Sequence, residues 1–186
     1  IDDDVAKSPA ILPRAQRVTA ALGVVVPFLG LVVAVYGLWG WGISCMELIL
    51  LLLMYIVAGL GVTIGYHRLF AHRSFEAARP VRVLLAVLGS MAAQGSLLKW
   101  VAVHRRHHQH SDRAEDPHSP HHFGRGVRGL LAGFWHAHIA WIFRADHPNL
   151  RRYVRDLESD GLLRMTSRLF GVWVFLGLLI PTGLGW

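Results

Sequence analysis

LILLLLMYIVAGLGVTIGYHRLFAH, residues 48–72, is uncharged from Leu48 to Tyr66, is dominated there by Leu, Ile, Val and Gly, and then closes on two histidines, His67 and His72. About 20 residues of helix cross a hydrocarbon core, so the stretch predicts a membrane span that carries histidines at one end. Outward on its N-terminal side, Val18 to Ser44 is also free of charge. It is too long for a cleaved signal peptide, and a second span follows almost at once. The two stretches predict a transmembrane hairpin, with spans over 18–42 and 45–66, the second extending to the first histidines. The connection from Tyr36 to Ser44 holds Gly37, Gly40, Gly42 and three aromatic residues and no charge.

The composition agrees. Of 186 residues, 53% are apolar and the mean hydropathy is +0.39, which is too apolar for a soluble domain and leaves room for one modest membrane domain. Three of the 19 Lys and Arg residues (Lys7, Arg14, Arg17) precede the first span, and the rest lie between Arg68 and Arg168. By the positive-inside rule, the N-terminus and the large polar segment face the cytoplasm. The net charge of +7 then reads as a membrane-surface property, and no nucleic-acid-binding motif accompanies it. A lone cysteine, Cys45, excludes an internal disulfide and any CxxC motif. Asp2, Asp3 and Asp4 read as part of a solvated tail.

Beyond His72, Pro80 suits the start of a helix running from Val81 to roughly His108. Ser111 to Arg128 is rich in Asp, Ser, Pro, Gly and His and reads as a long loop. Gly129 to Phe143 predicts an interfacial helix, and Asn149 to Ser159 a charged amphipathic helix capped by Asn149. Leu169 to Trp186 opens a third apolar span containing Pro181. The expected fold is all-α: an integral-membrane helical bundle with a His-rich helical cap over 80–168 on the cytoplasmic side and the start of a third span over 169–186.

All 12 histidines fall between His67 and His147. In WVAVHRRHHQH, residues 100–110, His104, His107 and His108 stand at i, i+3 and i+4, within one face of a helix. In GYHRLFAH, residues 65–72, His67 and His72 are five apart, about 140° around an ideal helix. That pair chelates cleanly only where the helix ends or loosens. Imidazole suits iron, zinc, copper or nickel, and five histidines exceed what one four-coordinate zinc takes, so two metals are the economical reading. The alternative is a basic, His-rich face that binds lipid headgroups.

GYHRLFAHRSF, WVAVHRRHHQHSDRAEDPHSP and HAHIAW, in this order and spacing over Gly65 to Trp141, resemble the membrane fatty-acid desaturases. The resemblance implies two iron ions, with His67, His72 and His104 on one and His107 and His108 on the other. It matches Trp100, Asp116, Pro117, His118 and Trp141 to family positions, and Arg105 is a candidate for holding an anionic headgroup, together with Arg106, Arg125 and Arg144. The family's third histidine box has no counterpart before Trp186. The chain is therefore expected to be one incomplete domain, inactive by itself because ligands are missing. His118, His121 and His122 repeat the H-x-x-H-H spacing, but they lie in the loop around Pro120, where helical presentation is not expected. His110, His136, His138 and His147 are read as supporting or surface residues.

The implied reaction introduces a cis double bond, with delta-9 the position the resemblance suggests, using dioxygen as co-substrate. No G-x-G-x-x-G follows a strand and the cysteines are too few for an iron-sulfur cluster. Electrons would come from a ferredoxin or a cytochrome of the b5 type, steered by the basic face. Coenzyme A is not secured as the acyl carrier, because Ala102, Val103, Ala145 and Asp146 stand where animal acyl-CoA desaturases have charged pairs. Lipid and carrier-protein substrates stay open. A membrane di-iron hydroxylase and a non-enzymatic metal carrier are the rivals; the latter would need ionisable residues inside the spans.

Overall fold

The computed structural model describes residues 12–40, 42–113, 115–144 and 150–185. The Asp2–Asp4 run, Ala145, Asp146, His147 and the cap at Asn149 lie outside the described residues. Every regular element described is helical: α1 (Arg14–Leu38), α2 (Cys45–Leu60), a π-helix (Gly61–Ala71), α3 (Arg79–Met91), α4 (Leu97–His110), α5 (Gly126–His138), a 3₁₀ turn (Ala140–Phe143), α6 (Leu150–Glu158), α7 (Gly161–Arg168) and α8 (Phe170–Leu184). The chain divides into two compact units, Ile1–Gly37 with Arg106–Pro148 and Leu38–Arg105 with Asn149–Trp186.

In the first unit, α1 is apolar on all sides, with Val32, Val33 and Phe28 exposed, and at 25 residues it is long enough to cross a membrane. Pro27 lies inside it, and proline is more frequent in membrane helices than in soluble ones. The polar loop packs on α5 through glycines. A Cβ at Gly133 would overlap the Pro120 carbonyl, and one at Gly129 the Gly124 carbonyl.

The second unit begins with a capping box: Ser44 Oγ accepts from the Glu47 amide at 3.3 Å, and the Glu47 carboxylate accepts from the Ser44 amide at 2.7 Å. From there Cys45–Ala71 forms one candidate span of 27 residues whose last turns are π-helical. Its glycines admit α3. A Cβ at Gly61 would overlap the backbone of Leu88 and Gly89, and a Cβ at Gly89 would stand 2.5 Å from the Tyr66 ring. The Tyr66 hydroxyl pairs with Ser90 Oγ at 2.8 Å and donates to the Gly95 carbonyl at 3.3 Å. Around this contact Phe70, Ala86, Leu97, Val101 and Leu163 form a buried core.

The single helix expected from Val81 to His108 is two helices. Ala93 (φ 57°) and Gly95 (φ 120°) take left-handed conformations that end α3 and let the chain restart at Leu97. The Leu98 amide then donates to Ser167 Oγ at 3.2 Å, joining α4 to α7. The helix expected over Asn149–Ser159 is α6, but it is broken at Val154 (φ −134°, ψ 27°). Asp160 caps α7 through the Leu162 and Leu163 amides. α7 and α8 meet at 64°, with Trp173 Nε1 donating to the Thr166 carbonyl across the bend at 3.1 Å.

Gly61 meets backbone, which cannot rotate away, so overpacking there costs about 1–3 kcal/mol. Gly61→Ala should lower the unfolding temperature in detergent micelles, whereas Gly23→Ala, which has open space around its Cβ, should leave it unchanged or raise it slightly.

Candidate metal centre

His67 and His72 reach one another because of the π-helix. Its ladder closes from residue i to i+5, and the His72 amide donates to the His67 carbonyl at 2.9 Å. Residues five apart thus stand one above the other, where an α-helix would hold them about 140° apart. Their Nε2 atoms are 3.2 Å apart, and His104 Nε2 is 3.3 Å from that of His72. The three rings meet edge to face, with centroids 4.4 Å (His67–His72), 4.8 Å (His67–His104) and 5.3 Å (His72–His104) apart. For imidazole–metal distances of about 2.0–2.1 Å, two nitrogens on one ion lie about 2.8–3.4 Å apart at ligand angles of roughly 90–109°. The His67–His72 and His72–His104 pairs fall in that range.

Two groups lie against or beside His104. The Trp100 indole, one turn earlier on α4, stacks on its ring at 4.7 Å and 18°, and Tyr66 backs Trp100 at 5.5 Å. Arg105, beside it, has its side chain 15% exposed. Its Nε donates to the Ala71 carbonyl at 3.1 Å, its two terminal nitrogens donate to the Asp156 carboxylate at 2.9 and 3.0 Å, and the same nitrogens donate to the Tyr153 and Phe70 carbonyls. All five guanidinium hydrogens have acceptors. In this arrangement the donors of Arg105 are used within the protein.

His108 stands four residues after His104 on α4, hence on the same face by helical spacing. In the unit that contains it, His107 Nδ1 lies 2.9 and 3.0 Å from the two carboxylate oxygens of Asp116. Asp116 is buried and also accepts from the Asp112 amide at 3.1 Å and the His118 amide at 3.2 Å. Burial would raise its pKa, but these hydrogen bonds outweigh it and hold the carboxyl below its ordinary value. A carboxylate on Nδ1 fixes the ring and its tautomer, an arrangement usual around histidine-bound metals. His118 stacks on His107 at 4.3 Å and faces Trp141 at 5.3 Å.

His121 and His122 sit in the loop, with His122 Nε2 2.8 Å from the Arg113 carbonyl. His138 Nδ1 lies 2.9 Å from the Phe134 carbonyl. His136 is not a surface residue. It is 5% exposed, packs on Phe123 at 4.9 Å, and its Nδ1 has no hydrogen-bond partner among the described residues. Spacing gave no sign of Asp156, which is far from His67, His72 and His104 in sequence and sits in a helix rich in arginine.

Histidines that converge at the end of a helix long and apolar enough to cross a membrane define a membrane protein with groups suited to holding metal. No family model matches the chain. It is similar to the hex-5-enoyl-[acyl-carrier protein] acetylenase of Moorena producens (strain JHB), 45% identical over 163 residues, which are 87% of this chain and 51% of that protein. It is also similar to the sn-1 stearoyl-lipid 9-desaturase of Anabaena variabilis, 36% identical over 73% of this chain and 47% of that protein. Human stearoyl-CoA desaturase 5 is 35% identical over 71% of this chain and 39% of its own length. The chain belongs to the fatty-acid desaturase family. It spans about half the length of the first two of these relatives.

Asp156 supplies a test in pH. Burial opposes its charge, but the hydrogen bonds and charge of Arg105, with Arg73 at 2.9 Å, hold its carboxyl below the ordinary 3.8. A lowered folded-state pKa stabilises the fold above the unfolded value, and the contribution fades as pH falls below it. The stability difference between the parent and Asp156→Asn should be constant from about pH 5.5 to 7 and shrink below about pH 4, as measured by chemical unfolding.

Proposed function

We propose that this chain supplies one histidine set, and part of the acyl-binding scaffold, of a membrane desaturase that introduces a double bond into a fatty-acyl chain. The convergence of His67, His72 and His104 at the end of a membrane-length helix carries this reading, and the named activities of the relatives support it. His67, His72 and His104 would hold one iron, and His107 and His108 would serve a second. Iron with dioxygen would supply the oxidising power needed to remove hydrogen from an unactivated methylene, which no side-chain acid or base achieves at neutral pH.

The chain's own residues position and exclude. The π-helix presents two imidazoles, the Trp100 stack fixes the ring plane of His104, and Asp116 holds the tautomer of His107. Apolar helices keep the acyl chain out of water, and a rigid tunnel that holds one carbon pair close to the site would set the double-bond position. Lys and Arg lie before the first span and after Tyr66, while the connection between the spans has none. That distribution supports a cytoplasmic N-terminus and a cytoplasmic histidine-bearing cap over 80–168. α7 and α8 together would form a third span, bent at Arg168–Phe170. The basic face would receive an acidic electron donor of the ferredoxin or cytochrome b5 type.

The relatives' names include acyl-carrier-protein, lipid and coenzyme A substrates. The 45% identity to an acetylenase that acts on a carrier-protein-bound enoyl chain favours a second reading, in which an existing double bond is taken to a triple bond.

Expression of the natural gene product in a bacterial host with a reductant system, followed by mass spectrometry of derivatised fatty acids, tests both readings. An alkene that appears with the parent, and falls at least about 100-fold with His72→Ala or His104→Ala, supports desaturation. An alkyne formed from an alkenyl substrate supports the second reading. A hydroxylated product assigns the chain to oxygen insertion instead.

A further inference from the structure

The Arg105 side chain, on the helix that carries His104, reaches the backbone of the helix that carries His67 and His72 and that of a third helix as well. On the π-helix it donates to two carbonyls that the helix leaves over. Phe70 and Ala71 are its last residues, so their carbonyls have no amide one turn ahead, and a buried helix end needs other donors. Arg105 donates to both. On α6 it donates to the Tyr153 carbonyl, next to the break at Val154, and binds both oxygens of Asp156. It stands next to His104 in sequence, and the carbonyls it caps immediately precede His72.

We propose that Arg105, locked by Asp156, is a positioning residue that sets the separation of His72 and His104 and thereby the metal affinity of the site; this rests on the metal reading above. The geometry is that of a two-pronged carboxylate clamp, whose planar fork fixes direction as well as distance. A lysine keeps the charge but has three donors in place of five and no planar fork, so it cannot hold both carbonyls and both carboxylate oxygens at once. A residue that merely stabilised the fold would change unfolding temperature and leave the affinity of the folded protein alone. A positioning residue changes affinity and ligand field in protein that is still folded.

The experiment titrates the purified gene product in lipid nanodiscs with cobalt(II) against a competing chelator. It reads affinity, the visible absorption of bound cobalt and helical circular dichroism. Arg105→Lys and Asp156→Asn should keep the helical signal, bind cobalt about 10–100-fold more weakly and shift the visible bands. Arg151→Ala, which removes an exposed arginine on the same helix α6, should match the parent in all three. If Arg105→Lys loses its helical signal, Asp156→Asn decides the matter, because Asn fills the same volume and still accepts a hydrogen bond. Folded variants with affinity and spectrum within about twofold of the parent overturn the proposal. A parent that binds no cobalt, or a His72→Ala variant that binds it as tightly as the parent, overturns the metal reading itself.

Discussion

The i→i+5 hydrogen bonding of Gly61–Ala71 is the constraint on which the rest depends. A π-helix is seldom sustained, because its wider turn packs the backbone poorly, and where it occurs it commonly serves a site. Here it converts a five-residue spacing into a pair of imidazoles that meet edge to face. The same segment carries Gly61 and Gly65, which allow α3 to approach closely, and Tyr66, whose hydroxyl ties it to Ser90. The packing that holds the widened helix is thus built into the residues just before the histidines.

Each histidine group is steadied by a carboxylate, though by different routes. Asp116 reaches His107 directly. Asp156 acts on the other group through Arg105, which spreads one side chain over the end of the π-helix and the broken turn of α6. In both cases the carboxylate has several donors, so its charge is held in place rather than left to compete for a cation. Such groups set ring orientation, on which the affinity of a metal site depends as much as on the count of ligands.

Much of this was legible in the sequence, and the parts that were not have identifiable causes. Uncharged runs over Val18–Ser44 and Leu48–Tyr66 announced the two membrane-length helices, since composition and length decide that alone. Helical spacing suggested one face for His104, His107 and His108, whereas His107 is turned to Asp116, and the five-residue gap between His67 and His72 signalled that the helix must loosen there. The form of the loosening was hidden, because i→i+4 and i→i+5 ladders share the same residue preferences. The break at Ala93–Gly95 was missed because Ala and Gln are good helix formers, and only Gly95 hinted at it. Asp156 was beyond sequence reading altogether. Its partner Arg105 lies on another helix, and nothing in an Arg-rich amphipathic stretch distinguishes one acid from its neighbours.

The proposed function is a metal-dependent oxidation, and the histidine ligation of that metal is the claim on which everything else in the proposal rests. X-ray absorption at the iron edge of the iron-loaded gene product tests it most directly. The account predicts a first shell dominated by nitrogen at roughly 2.0–2.2 Å together with the outer-shell scattering of imidazole rings, diminished when His72 and His104 are both replaced by alanine. A first shell of oxygen alone, without ring scattering and unchanged by those substitutions, would contradict it.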